Sequence, residues 1–227
     1  MQNPYAFSIL IPTWNNLAFL KLCIKSIQKH SSINHQIIIH VNDGSDGTLD
    51  WVKTQNIDYT FSEGNIGICK ALNLSYEKAS NDYIVYMNDD MYVLPYWDLE
   101  LKKEIDALKH NKFYLSATLL EPIDKGNSSV ISPAKFGSEI KTFEEEKLLK
   151  EYLDFEFEDW SGASWPPSLV HKELWKKVGG YSEEFSPGLY SDPDFSLKLW
   201  NLGVRYFKGV SSSRVYHFQS KSLGRIK

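Results

Sequence analysis

Cysteine is scarce in this 227-residue chain, and its scarcity excludes two kinds of protein. The two cysteines, Cys23 and Cys69, lie in otherwise apolar, helix-like patterns. Two such thiols supply neither a disulfide framework nor a cluster of metal-binding cysteines. A reducing compartment is therefore the simpler expectation. Together with the lack of a signal-peptide pattern in the first residues, it predicts a cytoplasmic location.

Long apolar runs and an excess of basic charge are also missing. No stretch approaches the ~18 uninterrupted apolar residues that indicate a membrane-spanning helix. Lys and Arg total 25 against 29 Asp and Glu, so the net charge is −4 and no basic stripe is available for a nucleic-acid backbone. We therefore expect no transmembrane segment and no nucleic-acid partner. Contact with a membrane surface through an acceptor stays open.

What the chain does have is a globular composition, with 42% hydrophobic and 24% charged residues, which is enough to bury a core. Four strands are predicted in the first part of the chain, at residues 7–12, 36–41, 59–61 and 83–87. The helices predicted between them span residues 17–30, 49–55 and 68–79. This alternation predicts an α/β fold with a mostly parallel central sheet flanked by helices.

The remainder of the chain is less regular. Helices are predicted at residues 96–109, 172–178 and 191–202, and residues 142–153 are predicted to form an acidic helix or a lid segment. One strand is predicted at 113–119, and two edge strands are predicted at 205–207 and 214–218. Pro122, Gly126 and Pro133 indicate that residues 121–137 form a loop.

The most informative residues are Asn88, Asp89 and Asp90, which directly follow the predicted strand at 83–87. Ligands of open α/β sheets lie outside the carboxyl ends of the strands. Two adjacent carboxylates repel each other unless a cation or a hydrogen-bond donor compensates. A divalent metal carrying a diphosphate would do so, because hard cations prefer oxygen ligands. A plain turn is the alternative, since Asn and Asp favour turns.

Six segments, in this order, resemble those of the family-2 glycosyltransferases, which have the GT-A fold. They are SILIPTWN at 8–15, VNDGSDGT at 41–48, NIG at 65–67 with Ala71 and Asn73, NDD at 88–90, the acceptor-side residues Gly162, Ala163, 178–181 and 183–185, and SDPDF at 191–195. The resemblance runs from residue 7 to residue 217. Each segment alone is a weak signal, but six in order are a strong one.

This resemblance implies one GT-A-like domain over residues 1–227. Residues 1–92 would form a Rossmann-like half that binds a nucleotide-sugar, and residues 93–227 a half that binds the acceptor. The implied reaction moves a sugar from a UDP- or dTDP-type donor to a hydroxyl of a glycan or another acceptor, with inversion at the anomeric carbon. Mn²⁺ or Mg²⁺ is the implied cofactor, and glycan or polysaccharide synthesis is the implied process.

The resemblance also assigns residues to the donor. Asp43 matches the position that hydrogen-bonds the nucleotide base, and a carboxylate can accept the N–H of an imide edge; a cap for the following segment is the alternative. The other implied donor-binding residues are Pro12, Thr13, Trp14, Asn15, Asn65, Gly67, Lys70, Asn88 and Asp89. Trp14 could instead pack on the domain, Gly67 could mark a plain helix start rather than an anion site, and Lys70 could be solvated.

Two residues are expected to hold the metal. Asp90 is the main candidate, and His217, near the C-terminus, is a second one because imidazole binds Mn²⁺-like ions moderately well. A structural histidine in a strand is the alternative for His217. Asn88 stands where the family has its first Asp, and an amide oxygen without charge would weaken metal affinity.

Asp192 is the expected catalytic base, which takes the proton of the acceptor hydroxyl; a cap of the following helix is the alternative. Ser191 replaces the acid that the family places before the base, so we expect Asp192 to be less basic. The candidate acceptor-binding residues are Trp160, Gly162, Trp165 and Tyr190, with core packing as the alternative for the aromatic ones. Lys221 and Arg225 either close over the diphosphate or belong to a frayed basic tail.

Two other functions stay open. A nucleotidyltransferase would carry a Gly-rich, basic loop after the first strand, whereas residues 12–16 contain no glycine, lysine or arginine. A non-catalytic module that binds a sugar or nucleotide is favoured by the departures at Asn88 and Ser191.

Overall fold

A computed structural model describes residues 6–162 and 165–219, and these residues include ten strands that form one sheet. The strands are β1 (Phe7–Trp14), β2 (Gln36–Asn42), β3 (Asp58–Ser62), β4 (Tyr83–Tyr86), β5 (Met91–Val93), β6 (Phe113–Leu120), β7 (Val130–Ile131), β8 (Trp160–Ser161), β9 (Ser168–His171) and β10 (Tyr206–His217). The helices are α1 (Leu17–His30), α2 (Thr48–Lys53), α3 (Gly67–Tyr76), α4 (Trp97–Leu108), α5 (Glu145–Glu151), α6 (Lys172–Val178) and α7 (Ser191–Asn201).

The strands lie in the order β3-β2-β1-β4-β9-β6-β10-β5, with β7 beside β6 and β8 beside β10. Neighbouring strands are parallel from β3 through β4, and β6 is parallel to both β10 and β7. β5, β8 and β9 join the sheet in the antiparallel sense. The predicted α/β fold with a mostly parallel central sheet is therefore confirmed.

Both faces of the sheet are buried, which explains why β1 is an almost continuous apolar run. Side chains alternate between the faces, so that Ile9 and Ile11 enter one hydrophobic cluster and Leu10 enters another. Helices α1 and α4 complete the first cluster, and α3, α6 and α7 complete the second. A third cluster packs Leu148 of α5 with Tyr216 of β10.

The sequence pattern did not predict strand β9, so the prediction for residues 168–171 is wrong. Its four residues lie between Pro167 and α6, which leaves too short a run for a periodic signal. Leu169 is paired with Val85 of β4 on one side and with Leu115 of β6 on the other. Through these pairings β9 joins the first four parallel strands to the rest of the sheet.

The two edge strands expected at 205–207 and 214–218 are instead parts of one long strand, β10, which lies between β6 and β5. The register with β6 shifts between Val210 and Arg214, as in a β-bulge. The serines between them look like a turn in the sequence. In the structure Ser211 bonds to Asp159 and Ser213 bonds to the carbonyl of Trp97, so the irregular backbone is anchored on both sides.

The helices are short, and most of them match their predicted ranges to within a few residues. The exception is the helix expected at 142–153, which is a 3-10 turn at Ile140–Thr142 followed by the shorter α5. The longest described helix, α1, has 14 residues. No helix within residues 6–162 and 165–219 combines the length and the apolar character needed to cross a membrane.

Replacing Leu169 by Ala is expected to lower the free energy of unfolding by about 2–5 kcal/mol, because the leucine is fully buried between the two parts of the sheet. Leu153→Ala is the matched control, since Leu153 is 67% exposed and should change the stability by less than about 0.5 kcal/mol. Urea denaturation measures both. An equally small effect at Leu169 would show that β9 does not hold the sheet together.

Candidate active site

A cavity of about 320 Å³ opens where the polar loops that follow β1 and β4 meet. Among the expected site residues, those that line it are Pro12, Thr13, Trp14, Asn65, Asn88, Asp89, Asp90, Trp165, Asp192 and His217. Those outside its lining are Asn15, Asp43, Gly67, Lys70, Trp160, Gly162 and Tyr190. The fold thus brings residues from both ends of the chain to one cavity.

Asp89 connects the two loops that form the floor of the cavity. Its side chain is almost fully buried, and each carboxylate oxygen accepts a hydrogen bond from the β1 side. Thr13 Oγ1 donates to Oδ2 at 2.6 Å, and Asn16 Nδ2 donates to Oδ1 at 3.0 Å. These bonds stabilise the buried charge and set the position of Asp89 beside its neighbour Asp90.

Asp90, His217 and Glu121 form a chain of charged side chains at one wall of the cavity. His217 Nε2 lies 3.3 Å from Asp90 Oδ1, and its Nδ1 lies 2.6 Å from Glu121 Oε1. Burial disfavours the charged imidazole, but the two carboxylates outweigh it and raise the pKa of His217 to about 9. Sequence reasoning missed Glu121, because it opens a segment that looks like a variable loop.

The donor chemistry of this wall fits a divalent cation. The described residues contain no group of three or more His, Cys, Asp or Glu side chains arranged to hold a metal ion. Asp90 and His217 nevertheless offer an oxygen and a nitrogen ligand side by side. Glu121 pairs with the other imidazole nitrogen of His217. A carboxylate is the usual outer partner of a metal-bound histidine.

Asp43 lies beside the cavity, at the end of β2, where it pairs with Asn15 at the end of β1. Asn15 Nδ2 donates to Asp43 Oδ2 at 2.8 Å, and the Ser45 amide donates to Oδ1 at 3.2 Å. Bonds from Asn15 and Ser45 hold the pKa of the Asp43 carboxyl below its ordinary value. Both Asn15 and Asp43 have positive φ, a conformation that Asn and Asp tolerate better than most residues.

The start of α3 does not offer a ready anion site. The Gly67 amide donates to Asn65 Oδ1 at 2.9 Å, and the Ile68 amide donates to the Pro187 carbonyl at 3.2 Å. Gly67 has φ +79°, and a Cβ there would lie 2.8 Å from the Ser186 hydroxyl. The glycine thus permits a close approach of the chain's own 186–188 turn. Lys70 is exposed, which supports the alternative that its side chain is solvated.

Asp192 lies in the first turn of α7, and its environment corrects one expectation about it. The helix cap position is Tyr190, so Asp192 is not the cap. Its Oδ1 accepts a hydrogen bond from the Tyr181 hydroxyl at 3.3 Å. Burial raises its pKa to about 7, against the lowering effect of that hydrogen bond. Desolvation therefore makes Asp192 more basic than an ordinary carboxyl, and the expectation that Ser191 makes it less basic than a neighbouring acid would stays a prediction.

The side chain of Asn73 fixes the partner of Asp192. Its Nδ2 donates to the Tyr181 carbonyl, and its Oδ1 accepts from the Tyr181 amide, each at 2.9 Å. A Cβ at Gly180 would lie 2.3 Å from Asn73 Oδ1, so only glycine permits this contact. The segments 65–73, 178–181 and 191–195 are thereby connected to one another in space.

The aromatic candidates for acceptor binding separate into two groups. Trp165 lines the cavity together with Asp192. Trp160 instead packs against Gly209 and donates from Nε1 to Thr118 Oγ1 at 3.0 Å, which supports core packing as its role. Tyr190 is 75% exposed and is not among the residues that line the cavity.

Some residues at the cavity were not foreseen, and some foreseen ones lie outside the described residues. Besides Glu121, the cavity is lined by Lys125, which carries the only Lys or Arg side chain among its described lining residues. The loop at 121–137 therefore belongs to the cavity wall. Ala163, Lys221 and Arg225 lie outside the residues that the structure describes.

Comparison with known proteins places this chain in a family. Residues 8–160 match the model of Glycosyl transferase family 2, which is more than half of the chain. The chain belongs to glycosyl transferase family 2.

Two relatives show how much of a family member this chain represents. An uncharacterized glycosyltransferase of Haemophilus influenzae is 24% identical over 194 residues, which cover 85% of this chain and 61% of that protein. Chondroitin synthase of Escherichia coli is 24% identical over 239 residues, covering 92% of this chain and 34% of that protein. The chain therefore spans less than two-thirds of the length of these relatives.

Solved structures share the fold of this family-2 chain. S. aureus TarS 1–349 in complex with UDP-GlcNAc is 16% identical and has a TM-score of 0.67, covering 95% of this chain and 61% of TarS 1–349. GalNAc-T7 with UDP, GalNAc and Mn²⁺ is 15% identical and has a TM-score of 0.68, covering 93% of this chain and 43% of that one. The expected GT-A-like fold is confirmed.

Ser191, which the resemblance places where an acid is expected, has a clear local role. It is buried, and its hydroxyl donates to the Gly188 carbonyl at 2.8 Å. This bond holds the 186–188 turn against the start of α7. Asn88, the other such residue, lines the cavity next to Asp89.

Replacing Asp192 by Asn is expected to stabilise the protein above pH 7. Because burial raises the folded-state pKa to about 7, from an ordinary value of 3.8, the wild type loses stability as the pH rises between these two values. Asn cannot ionise, so its advantage should grow through this range to on the order of 2–4 kcal/mol and then stay constant. Urea denaturation at several pH values measures it, with Asp106→Asn on the exposed face of α4 as the control. A gain that does not vary with pH would contradict the raised pKa.

Proposed function

We propose that this protein transfers a sugar from a nucleotide-diphosphate sugar to an acceptor hydroxyl. One observation carries the proposal: Asp192, Asp90 and His217 line a single cavity at the ends of the parallel strands. Such an arrangement supplies a base on one side and a place for a metal-bound diphosphate on the other. Membership of glycosyl transferase family 2 supports the same reaction.

The donor nucleotide is proposed to be of the UDP or dTDP type. Asp43 would accept the imide N–H of the base, and hydrogen bonds that keep its carboxyl ionised support an acceptor role. Pro12, Thr13 and Trp14 line the cavity and directly precede Asn15, the hydrogen-bond partner of Asp43. The complexes of TarS with UDP-GlcNAc and of GalNAc-T7 with UDP support a uridine donor.

Asp90 and His217 are the residues that would hold Mn²⁺ or Mg²⁺. Glu121 would orient the His217 ring through its contact with Nδ1. When bound, the cation would neutralise charge on the diphosphate leaving group. Since His217 is charged at neutral pH in its present surroundings, it would have to release its proton to become a ligand. The GalNAc-T7 complex with Mn²⁺ supports a divalent ion at such a site.

The transfer itself is proposed to be a direct displacement. Asp192 accepts the proton of the acceptor hydroxyl while that oxygen forms a bond to the anomeric carbon. The bond between this carbon and the diphosphate oxygen breaks, and its electron pair leaves with the diphosphate. Attack from the face opposite the leaving group inverts the anomeric centre. A pKa of about 7 suits a base that works near neutral pH.

The two halves of the chain are proposed to divide this work, with residues 1–92 binding the donor and 93–227 binding the acceptor. The division is not strict, because Lys125 of the second half lines the same cavity and would contact a donor phosphate. A role in glycan or polysaccharide synthesis has support in the name of the chondroitin synthase relative. The cytoplasmic location stays a prediction.

Nucleotide binding should depend on the metal and on Asp90. A thermal-shift panel of UDP, dTDP, GDP and CDP, with and without Mn²⁺, is expected to give a metal-dependent shift with UDP or dTDP. A ligand at ~100 times its Kd adds ~2.7 kcal/mol, which is readily visible. Asp90→Asn should remove the metal-dependent part, and Asp106→Asn should leave it unchanged. Shifts that ignore Mn²⁺ would contradict the role of Asp90.

Asp192→Asn should retain donor binding and lose transfer. The base makes its bond to the acceptor proton in the reaction, so the expected loss in kcat is roughly 10²–10⁴-fold with little change in UDP affinity. Calorimetry measures binding, and release of UDP from the donor in the presence of acceptor measures transfer. Equal loss of binding and transfer would remove the base assignment. Nucleotide binding without any transfer in the wild type would favour the non-catalytic module.

A further inference from the structure

A second concavity, of about 430 Å³, adjoins the 320 Å³ cavity described above, which we call the donor cavity. We call the second concavity the apolar groove, and its described lining is Gly162, Trp165, Asp192, Pro193, Ser196, Leu197, Trp200 and Phe207. Asp192 and Trp165 line both concavities. The proposed base therefore stands at the boundary between the donor cavity and the apolar groove.

Polar partners are few in the apolar groove. Apart from the two indole N–H groups, only Asp192 and Ser196 have polar side chains among its described lining residues. The Ser196 hydroxyl already donates to the Asp192 carbonyl at 2.9 Å. The hydroxyls of a sugar ring bound here would lose their hydrogen bonds to water, and the groove walls could not supply new ones. Each hydrogen bond lost in this way costs free energy of binding.

The groove's walls are large apolar side chains that remain open to solvent. Leu197 and Trp200 are 56% and 48% exposed and lie three residues apart, on the same face of α7. The guanidinium of Arg205 lies 3.9 Å from the centre of a Trp200 ring and donates to the Trp200 carbonyl, which holds this wall in place. Apolar surface of this kind next to a reaction centre indicates a ligand with an apolar part.

We propose that the acceptor carries an alkyl group next to the hydroxyl that receives the sugar, and that the apolar groove binds this alkyl group. The inference rests on the proposed function, because a base at Asp192 places the reacting hydroxyl at the inner end of the groove. The part of the acceptor attached to that hydroxyl then lies along Leu197 and Trp200. A water-exposed glycan chain without an apolar group would leave the groove unfilled.

The test compares two probes that differ only in the alkyl chain: octyl β-glucoside, kept below its micelle concentration, and methyl β-glucoside. Tryptophan fluorescence follows binding to the full chain without any donor. We expect octyl β-glucoside to bind at least about tenfold more tightly, since a few methylenes in an apolar site give that much. Leu197→Asp should remove this advantage. Leu153→Asp, at a site 67% exposed and outside the groove, should keep it.

The outcomes separate this inference from the proposed function. Equal binding of both probes, or an unchanged octyl advantage in Leu197→Asp, overturns the alkyl-binding groove. Loss of both probes in Leu197→Asp would show instead that the groove binds the sugar ring. The metal-dependent UDP shift, measured on the same samples, should persist in both variants. If the UDP shift is absent while octyl β-glucoside still binds, the proposed function is contradicted and the alkyl-binding groove is retained. If Leu197→Asp does not fold, Leu197→Asn carries the same test.

Discussion

Compensation of buried negative charge is the constraint on which the site of this protein depends. Asp89, Asp90, Glu121 and Asp192 all line one cavity, where none can be left unpaired without a large desolvation cost. They are compensated in three ways. Asp89 accepts two side-chain hydrogen bonds, Asp90 and Glu121 share the imidazole of His217, and Asp192 has a raised pKa.

These compensating partners come from distant parts of the chain, which ties the site to the fold. Asp89 follows β4 but is held by Thr13 from β1. Asp90 follows the same strand, and its partner His217 ends β10 on the far side of β9. The parallel pairing of β1 with β4 ends at Leu10 and Tyr86, so that Thr13 and Asp89 each lie three residues beyond the last pair, and the antiparallel insertion of β9 sets the distance to the second half. A change in register anywhere along this path would separate a carboxylate from its partner.

At Asp192 the proposed function and the stability of the folded state oppose each other. Burial makes it basic enough to accept a proton near neutral pH, and the same burial lowers the stability of the folded state when it ionises. Neighbouring residues nevertheless fix the position of the Asp192 carboxyl. Asn73 holds Tyr181 through two hydrogen bonds to its backbone, and the Tyr181 hydroxyl donates to Asp192. Asp192 lines both the polar cavity and the apolar groove, so in its proposed role one carboxylate would face two chemically different ligands.

The sequence by itself determined the alternation of strands and helices, the α/β class, and the polar residues at strand ends. Local periodicity predicts these features, because the spacing of apolar residues within an element determines which of its faces is buried. Strand β9 and the continuity of β10 could not be read in this way, since both depend on partners far along the chain. Glu121 could not be found either, because it gains its role only by contact with His217. The tertiary structure alone decided the pKa of Asp192, since desolvation is set by what packs around a carboxyl and not by its neighbours in sequence.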